Sequence, residues 1–217
     1  LTKNFKNMYN SNNINTTSDL ENNNSLSKYK HYVAQQNHYA YECFYNLLEK
    51  VKPSRVLEIG TALGGFTGFL KHACDDLGLT VEIRSYDIHV TPSKEELINN
   101  GVDFIEENIF TSDYQSLKNY EVIDFIQSDG CTLVLCDGGN KINEFKILSE
   151  HLKKGDIIMA HDYAYDREVF LNEVDKVYWN WHEISESDIE ESVKKYNLKP
   201  YMQDEFDRAV WVCKIKE

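Results

Sequence analysis

Glu58 is an acid set inside an apolar run, Val56-Leu57-Glu58-Ile59, and three glycines follow it at Gly60, Gly64 and Gly65. A carboxylate buried in such a run is costly unless something needs it. Glycines just after a buried strand and just before a helix let backbone pass close to a ligand that side chains would obstruct. A second acid, Asp87, ends the run Val81-Glu82-Ile83-Arg84-Ser85-Tyr86 and lies 27 residues after Gly60. Either feature alone has an ordinary explanation, since many turns use glycine and many strands end in Asp. Together, on consecutive strand ends, they point to a ligand held between two acids. The spacing is GxxxGG, not the GxGxxG of dinucleotide binders, which argues against a nicotinamide-dependent oxidoreductase.

The elements that position these residues alternate short apolar runs with helical stretches, as parallel βαβ units do. Strands are expected at 55–59, 81–87, 102–106, 131–136 and 156–160. A helix is expected from Lys30 to Lys50, where Tyr41, Phe44, Leu47 and Leu48 form one stripe, closed by Pro53. Another runs from the glycine turn to about Leu77, and a third carries Ile142, Phe145, Leu148 and Leu152 on one face. Ser187-Asp188-Ile189-Glu190 reads as a capping box opening a helix to about Tyr196. Two last strands, 198–204 and 208–215, are joined by so few residues that they must be antiparallel. The expected fold is an α/β, Rossmann-like, doubly wound sheet of seven strands, mostly parallel with a C-terminal antiparallel hairpin, plus an N-terminal helical extension.

Residues 1–28 differ from the rest: nine are Asn, and the apolar residues have no period. Such a stretch cannot offset its chain entropy by burial, so it reads as a tail, or as a lid that orders over a ligand or a neighbouring subunit. The domain proper is expected to span 29–217. The net charge of −13, from 36 acidic and 23 basic residues, gives no basic patch for nucleic acid or anionic lipid and favours a small-molecule substrate. The start of the chain shows no secretion signal, and no apolar run approaches ~18 residues, so no membrane span is expected. Five cysteines without a CxxC pair suit a reducing, cytoplasmic setting, with neither disulfide framework nor structural zinc.

With Glu58, Gly60, Gly64 and Asp87 in place, the sequence resembles the class I S-adenosylmethionine-dependent methyltransferases. Within them it resembles the cephalosporin hydroxylase/rhamnosyl O-methyltransferase-like group. The matching text is Val51-Lys52-Pro53-Ser54-Arg55-Val56-Leu57-Glu58-Ile59-Gly60-Thr61-Ala62-Leu63-Gly64-Gly65, then Leu135-Cys136-Asp137-Gly138, then Lys154 through Tyr163. The resemblance covers about residues 35–165. It implies that Glu58, Gly60, Thr61, Gly64 and Gly65 hold the methionine end of S-adenosylmethionine. It also implies that Asp87, with Ile88 beside it, takes the ribose hydroxyls and that Asn108 meets the adenine. Most relatives carry Asp at that last place, which leaves Asn108 or Glu107 open. Upstream, Gln36 or Gln35 matches a Gln of the group. Asp137 borders both cofactor and acceptor.

The same resemblance implies O-methylation of a small hydroxylated acceptor such as a sugar or natural product. It further implies a divalent cation held by Asp137 and Asp162, with His161 beside them. Two carboxylates suit Mg²⁺, and a histidine shifts preference toward Mn²⁺. Metal-dependent relatives, however, carry two adjacent oxygen ligands after the fifth strand, where this chain has His161-Asp162. His161 is therefore also a candidate general base, and a purely structural His161-Asp162 pair is a third reading. Lys141 is a further base candidate, or else a solvated helix residue. Tyr163, Tyr165 and the cluster Tyr178-Trp179-Asn180-Trp181-His182 are candidates for acceptor recognition by stacking, against a core role for Trp179 and Trp211. A homo-oligomer is compatible with all of this. The rival to an active enzyme is an inactive S-adenosylmethionine-binding accessory subunit. A nucleic-acid methyltransferase would show a motif such as NPPY where this chain has Asp137-Gly138-Gly139-Asn140.

Overall fold

In the computed structural model the described residues are 27–217, together with the backbone of a short strand, β1 (Ile14–Thr16). Most of the Asn-rich segment 1–28 therefore lies outside the described residues. β1 pairs with β2 (Ser27–Tyr29), which pairs with β3 (Tyr32–Ala34), all antiparallel, in a ribbon separate from the main sheet. The main sheet comprises β4 (Arg55–Ile59), β5 (Glu82–Asp87), β6 (Val102–Glu106), β7 (Thr132–Cys136), β8 (Ile157–Ala160), β9 (Leu198–Pro200) and β10 (Val212–Lys216). Its order is β6-β5-β4-β7-β8-β10-β9. The first five strands are mutually parallel, and β10 is antiparallel to both β8 and β9. The expected seven-stranded architecture is thus present.

β4, β7 and β8 are buried along their whole length because both sheet faces are covered. Side-chain alternation divides their residues between two cores. Val56, Leu133, Leu135, Ile157 and Met159 face α1 (His38–Val51) and α2 (Gly65–Asp76). Leu57, Val134, Cys136, Ile158 and Ala160 face the opposite layer. That layer holds α4 (Glu121–Gln127), α5 (Lys141–Ser149) and α6 (Glu186–Lys195), while the short α3 (Lys94–Asn99) packs near β6. Phe145 and Leu148 of α5 are fully buried, each worth about 1.5–3 kcal/mol of transfer free energy.

Three local expectations are corrected. The helix read from Lys30 begins at His38, because Asn37 caps it by accepting the Tyr39 and Ala40 amides, and residues 32–34 form β3 instead. The capping box is formed by Ser185 with Asp188, two residues earlier than expected, and opens α6 at Glu186. β9 ends at Pro200, and a helical turn at Gln203–Phe206 followed by a 3-10 turn at Asp207–Ala209 replaces the tight turn expected near 205–207. The antiparallel pairing survives. All five cysteines are free, and no helix among the described residues is long and apolar enough to cross a membrane.

Candidate active site

Strand order reverses between β4 and β7: the chain moves outward through β5 and β6, then returns to build β7 and β8 on the other side. Ligands of open α/β sheets bind at the carboxyl edge of such a switch point. A cleft of about 510 Å³ opens there. Gly60, Asp87, Ile88, Glu107 and Asn108 line one part, and Asp137, Lys141, His161, Asp162, Trp179 and Trp181 another. Of the residues singled out from sequence, Glu58, Thr61, Gly64 and Gly65 do not line it.

These four instead build the wall. Glu58 is 2% exposed and accepts from Thr67 Oγ1 at 2.6 Å and Ser85 Oγ at 2.5 Å, so it ties β4 to α2 and β5. Burial raises its pKa to about 7 despite those hydrogen bonds. Thr61 Oγ1 joins the same network through Ser85, at 2.6 Å. Gly60 has φ +95°, and a Cβ there would stand 2.2 Å from the Asp137 carbonyl oxygen, so the loop lies directly on the end of β7. At Gly65 a Cβ would stand 2.5 Å from the Val33 carbonyl oxygen, because the β2–β3 ribbon packs on the start of α2. Close approach to protein backbone accounts for both glycines, and Gly60 also lines the cleft. Asp87 does reach the cleft. Its carboxylate accepts from the Ala62 amide at 2.7 Å and the His89 amide at 2.9 Å, holding the loop ends together at the cleft edge. Asn108 Oδ1 accepts from the Phe110 amide at 3.0 Å, and Glu107 accepts from Asn119 Nδ2 at 2.7 Å. Glu107 and Asn108 both line the cleft.

At the ends of β7 and β8 four charged or titratable groups meet. His161 Nδ1 lies 3.1 Å from Asp137 Oδ1 and 3.5 Å from Asp162 Oδ1. Its ring stacks on Trp211 with centroids 4.8 Å apart, which fixes the imidazole plane, and its Nε2 is buried without a hydrogen-bond partner among the described residues. Gln36 Nε2 donates to Asp137 Oδ2 at 2.9 Å, while Gln36 Oε1 accepts from Trp211 Nε1 at 2.8 Å, so the amide orientation is determined. Gln36 is thus the member of the Gln35/Gln36 pair that touches Asp137, whereas Gln35 lines the cleft. Asp162 sits at φ +59° and accepts from Trp179 Nε1.

Lys141 is not a solvated helix residue. It is 7% exposed, with Nζ 2.9 Å from Asp162 Oδ2, 2.9 Å from Glu183 Oε2 and 3.1 Å from the Gly138 carbonyl oxygen. Burial pulls its pKa down, but Asp137 and Asp162 outweigh that and raise it, so the ammonium stays charged. Burial likewise lowers the His161 pKa, and the same two acids more than reverse it. Burial raises the Asp137 pKa in spite of His161 and Lys141, whereas in Asp162 the His161 and Lys141 charges prevail and lower it.

Glu144, absent from the sequence reading, accepts from the Gly138 amide at 3.1 Å and the Asn140 amide at 3.0 Å and holds the turn after β7. Burial pushes its pKa up to about 7. Its signal was its place beside Phe145, on the same buried side of α5 as Lys141 and Leu148. Tyr163 turns away, its hydroxyl donating to Glu186 at 2.9 Å, and Tyr165 is exposed outside the cleft. Trp179 is buried and Trp181 is 42% exposed, so Trp181 is the open aromatic face of the cleft.

The model of the FtsJ-like methyltransferase family matches residues 37–190. No curated protein matches the chain. Among solved structures, apo CmcI-N160 superposes with a TM-score of 0.59 at 10% identity, covering 87% of this chain and 75% of that one. A caffeoyl-CoA O-methyltransferase-type protein from Staphylococcus aureus gives 0.53 at 17% identity, covering 83% and 84%. The Mg-SAM form of CmcI-D160 gives 0.52 at 12% identity, covering 84% and 74%. At such identities the likeness shows a shared fold.

Proposed function

The chain belongs to the FtsJ-like methyltransferase family and is an S-adenosylmethionine-dependent methyltransferase, and we propose that it methylates a hydroxyl oxygen on a small acceptor. S-adenosylmethionine would lie along the carboxyl edge of the sheet, its ribose on Asp87 and its adenine beside Asn108, with the methyl directed toward Asp137 and His161. One observation carries the oxygen assignment: the Asp137–His161 pair at 3.1 Å, held against Trp211, at the ends of β7 and β8, across β4 from the Asp87 end of β5. That 3.1 Å contact couples the imidazole to a carboxylate on the cleft lining, an arrangement suited to taking up a proton.

The acceptor hydroxyl would be held in line with the sulfur–methyl bond of S-adenosylmethionine, which would supply the methyl group and keep the bonding electron pair on sulfur, while the Asp137–His161 pair takes the hydroxyl proton. Alignment of the two reactants accounts for most of the acceleration, up to ~7–11 kcal/mol in well-oriented systems. Trp181 would stack on the acceptor, a sugar or a planar natural product.

The test is transfer of isotope-labelled methyl from S-adenosylmethionine to a panel of sugars and phenols. A labelled ether is expected, with turnover reduced at least ~100-fold in His161→Ala, as loss of a general base requires. S-adenosylhomocysteine affinity should be unchanged in that variant. Methyl transfer to nitrogen or sulfur acceptors only, or cofactor binding without turnover on any alcohol, would overturn the proposal.

A further inference from the structure

We propose that the Lys141 ammonium is the resident cation of this cleft, standing where a divalent ion would bridge the acids at the ends of β7 and β8. The inference rests on the methyl-transfer reading of the same cleft. One donor atom each from Asp137, His161 and Asp162 lies within 4.8 Å of the others, a spacing that by itself would suit an ion. The chemistry of the donor set does not. All four oxygens of the two carboxylates already face a nitrogen of the protein. Asp137 Oδ1 faces His161 Nδ1 at 3.1 Å, and Asp137 Oδ2 accepts from Gln36 Nε2 at 2.9 Å. Asp162 Oδ1 accepts from Trp179 Nε1, and Asp162 Oδ2 pairs with Lys141 Nζ at 2.9 Å.

The imidazole nitrogen nearest the acids is Nδ1, and with Asp137 Oδ1 at 3.1 Å and Asp162 Oδ1 at 3.5 Å the two carboxylates favour a proton there, which a metal would have to displace. A divalent ion would also have to sit beside an ammonium 3.8 Å from Asp137 Oδ1 and 2.9 Å from Asp162 Oδ2, against like-charge repulsion. Lys141 cannot readily withdraw. It is the first residue of α5, its side chain is buried, and Glu183 Oε2 and the Gly138 carbonyl hold the same Nζ from two further directions.

The residues present therefore do not fit a divalent ion, and a fixed single charge takes its place. Because Lys141 lines the cleft, that charge faces the bound acceptor, where a preoriented cation stabilises oxygen as it loses its proton. Such a site needs no metal loading and is indifferent to chelators.

Manganese titration followed by electron paramagnetic resonance tests this directly, on the full chain with S-adenosylhomocysteine present and its affinity measured on the same samples. The wild-type chain should bind no stoichiometric Mn²⁺ up to about 1 mM, a free energy of about −4 kcal/mol. Lys141→Met should gain a single site at least about tenfold tighter than that limit, and the added change Asp162→Asn should abolish it. Sub-millimolar binding of one Mn²⁺ by the wild type, lost in Asp162→Asn, would overturn the proposal. So would a Lys141→Met chain that retains S-adenosylhomocysteine affinity but gains no Mn²⁺ site. If Lys141→Met does not fold, the wild-type titration decides alone. Loss of S-adenosylhomocysteine binding by the wild type would count against the methyltransferase cleft, separately from the fate of Lys141.

Discussion

Burial gives Glu58 a much higher proton affinity than an exposed glutamate, since Thr67 and Ser85 offset only part of the lost hydration. A folded-state pKa of about 7 against an ordinary 4.5 means that the folded protein binds this proton more tightly than the unfolded chain. The resulting stability is full below pH 4.5 and is lost as pH rises through about 7. Glu58→Gln keeps the shape and removes the charge, so it should stabilise the protein above pH 7 by on the order of 3 kcal/mol and have little effect at pH 4.5. Urea unfolding at both pH values checks this, and an equal gain at each would contradict it. Asp87 differs in being at the cleft edge. Asp87→Ala should weaken S-adenosylhomocysteine by about 10–100-fold, the loss of charge-assisted hydrogen bonds, and lower stability by only about 1–3 kcal/mol as the Ala62 and His89 amides lose their acceptor. An unchanged affinity would remove Asp87 from the nucleoside site. Both acids were legible in the sequence because each interrupts or ends an apolar run. Lys141 was picked out only as a base candidate or a solvated residue, and Glu144 not at all, because the groups that bury and pair them, Asp162 and Glu183 for the lysine and the 138–140 turn for the glutamate, are brought in only by the fold.

Packing of the β2–β3 ribbon on the start of α2 makes Gly65 a structural requirement. Its missing Cβ would press on the Val33 carbonyl at 2.5 Å, a contact between two backbones with little room to yield. Gly65→Ala should cost about 1–3 kcal/mol, in line with overpacking elsewhere. Amide hydrogen exchange should quicken selectively over residues 27–34, and protection equal to wild type would show that the ribbon does not depend on this contact. Gly65 is visible from sequence as a close-approach signal, but no local pattern reveals that the ribbon packs there. Element boundaries failed for a similar reason. Tyr32-Val33-Ala34 continues the apolar character of the following helix, and only the Asn37 cap separates strand from helix. At the other end, the chain turns left-handed at Met202, and Gln203 donates to Asp207 and the Trp211 carbonyl while accepting from the Cys213 amide, bonds that no local turn signal reveals.

At the scale of the molecule, the order β6-β5-β4-β7-β8-β10-β9 follows from simple constraints. Parallel strands need helical crossovers, crossovers are right-handed, and the final antiparallel pair closes the edge. The reversal between β4 and β7 then places the glycine loop, Asp87 and the Asp137–His161–Asp162–Lys141 group around one cleft, although they span residues 60–162. A cation supplied by the chain makes turnover independent of added metal: EDTA should leave methyl transfer within about twofold, whereas a catalytic Lewis acid is worth several kcal/mol. Inhibition by EDTA that Mg²⁺ or Mn²⁺ reverses would contradict this.

The cleft at the β4–β7 switch point is expected to hold an adenosyl ligand. Calorimetric titration of the wild-type chain with S-adenosylhomocysteine measures this without knowledge of the acceptor. One site per chain with a dissociation constant of about 1–100 μM is predicted, and the absence of binding at millimolar ligand would contradict the account.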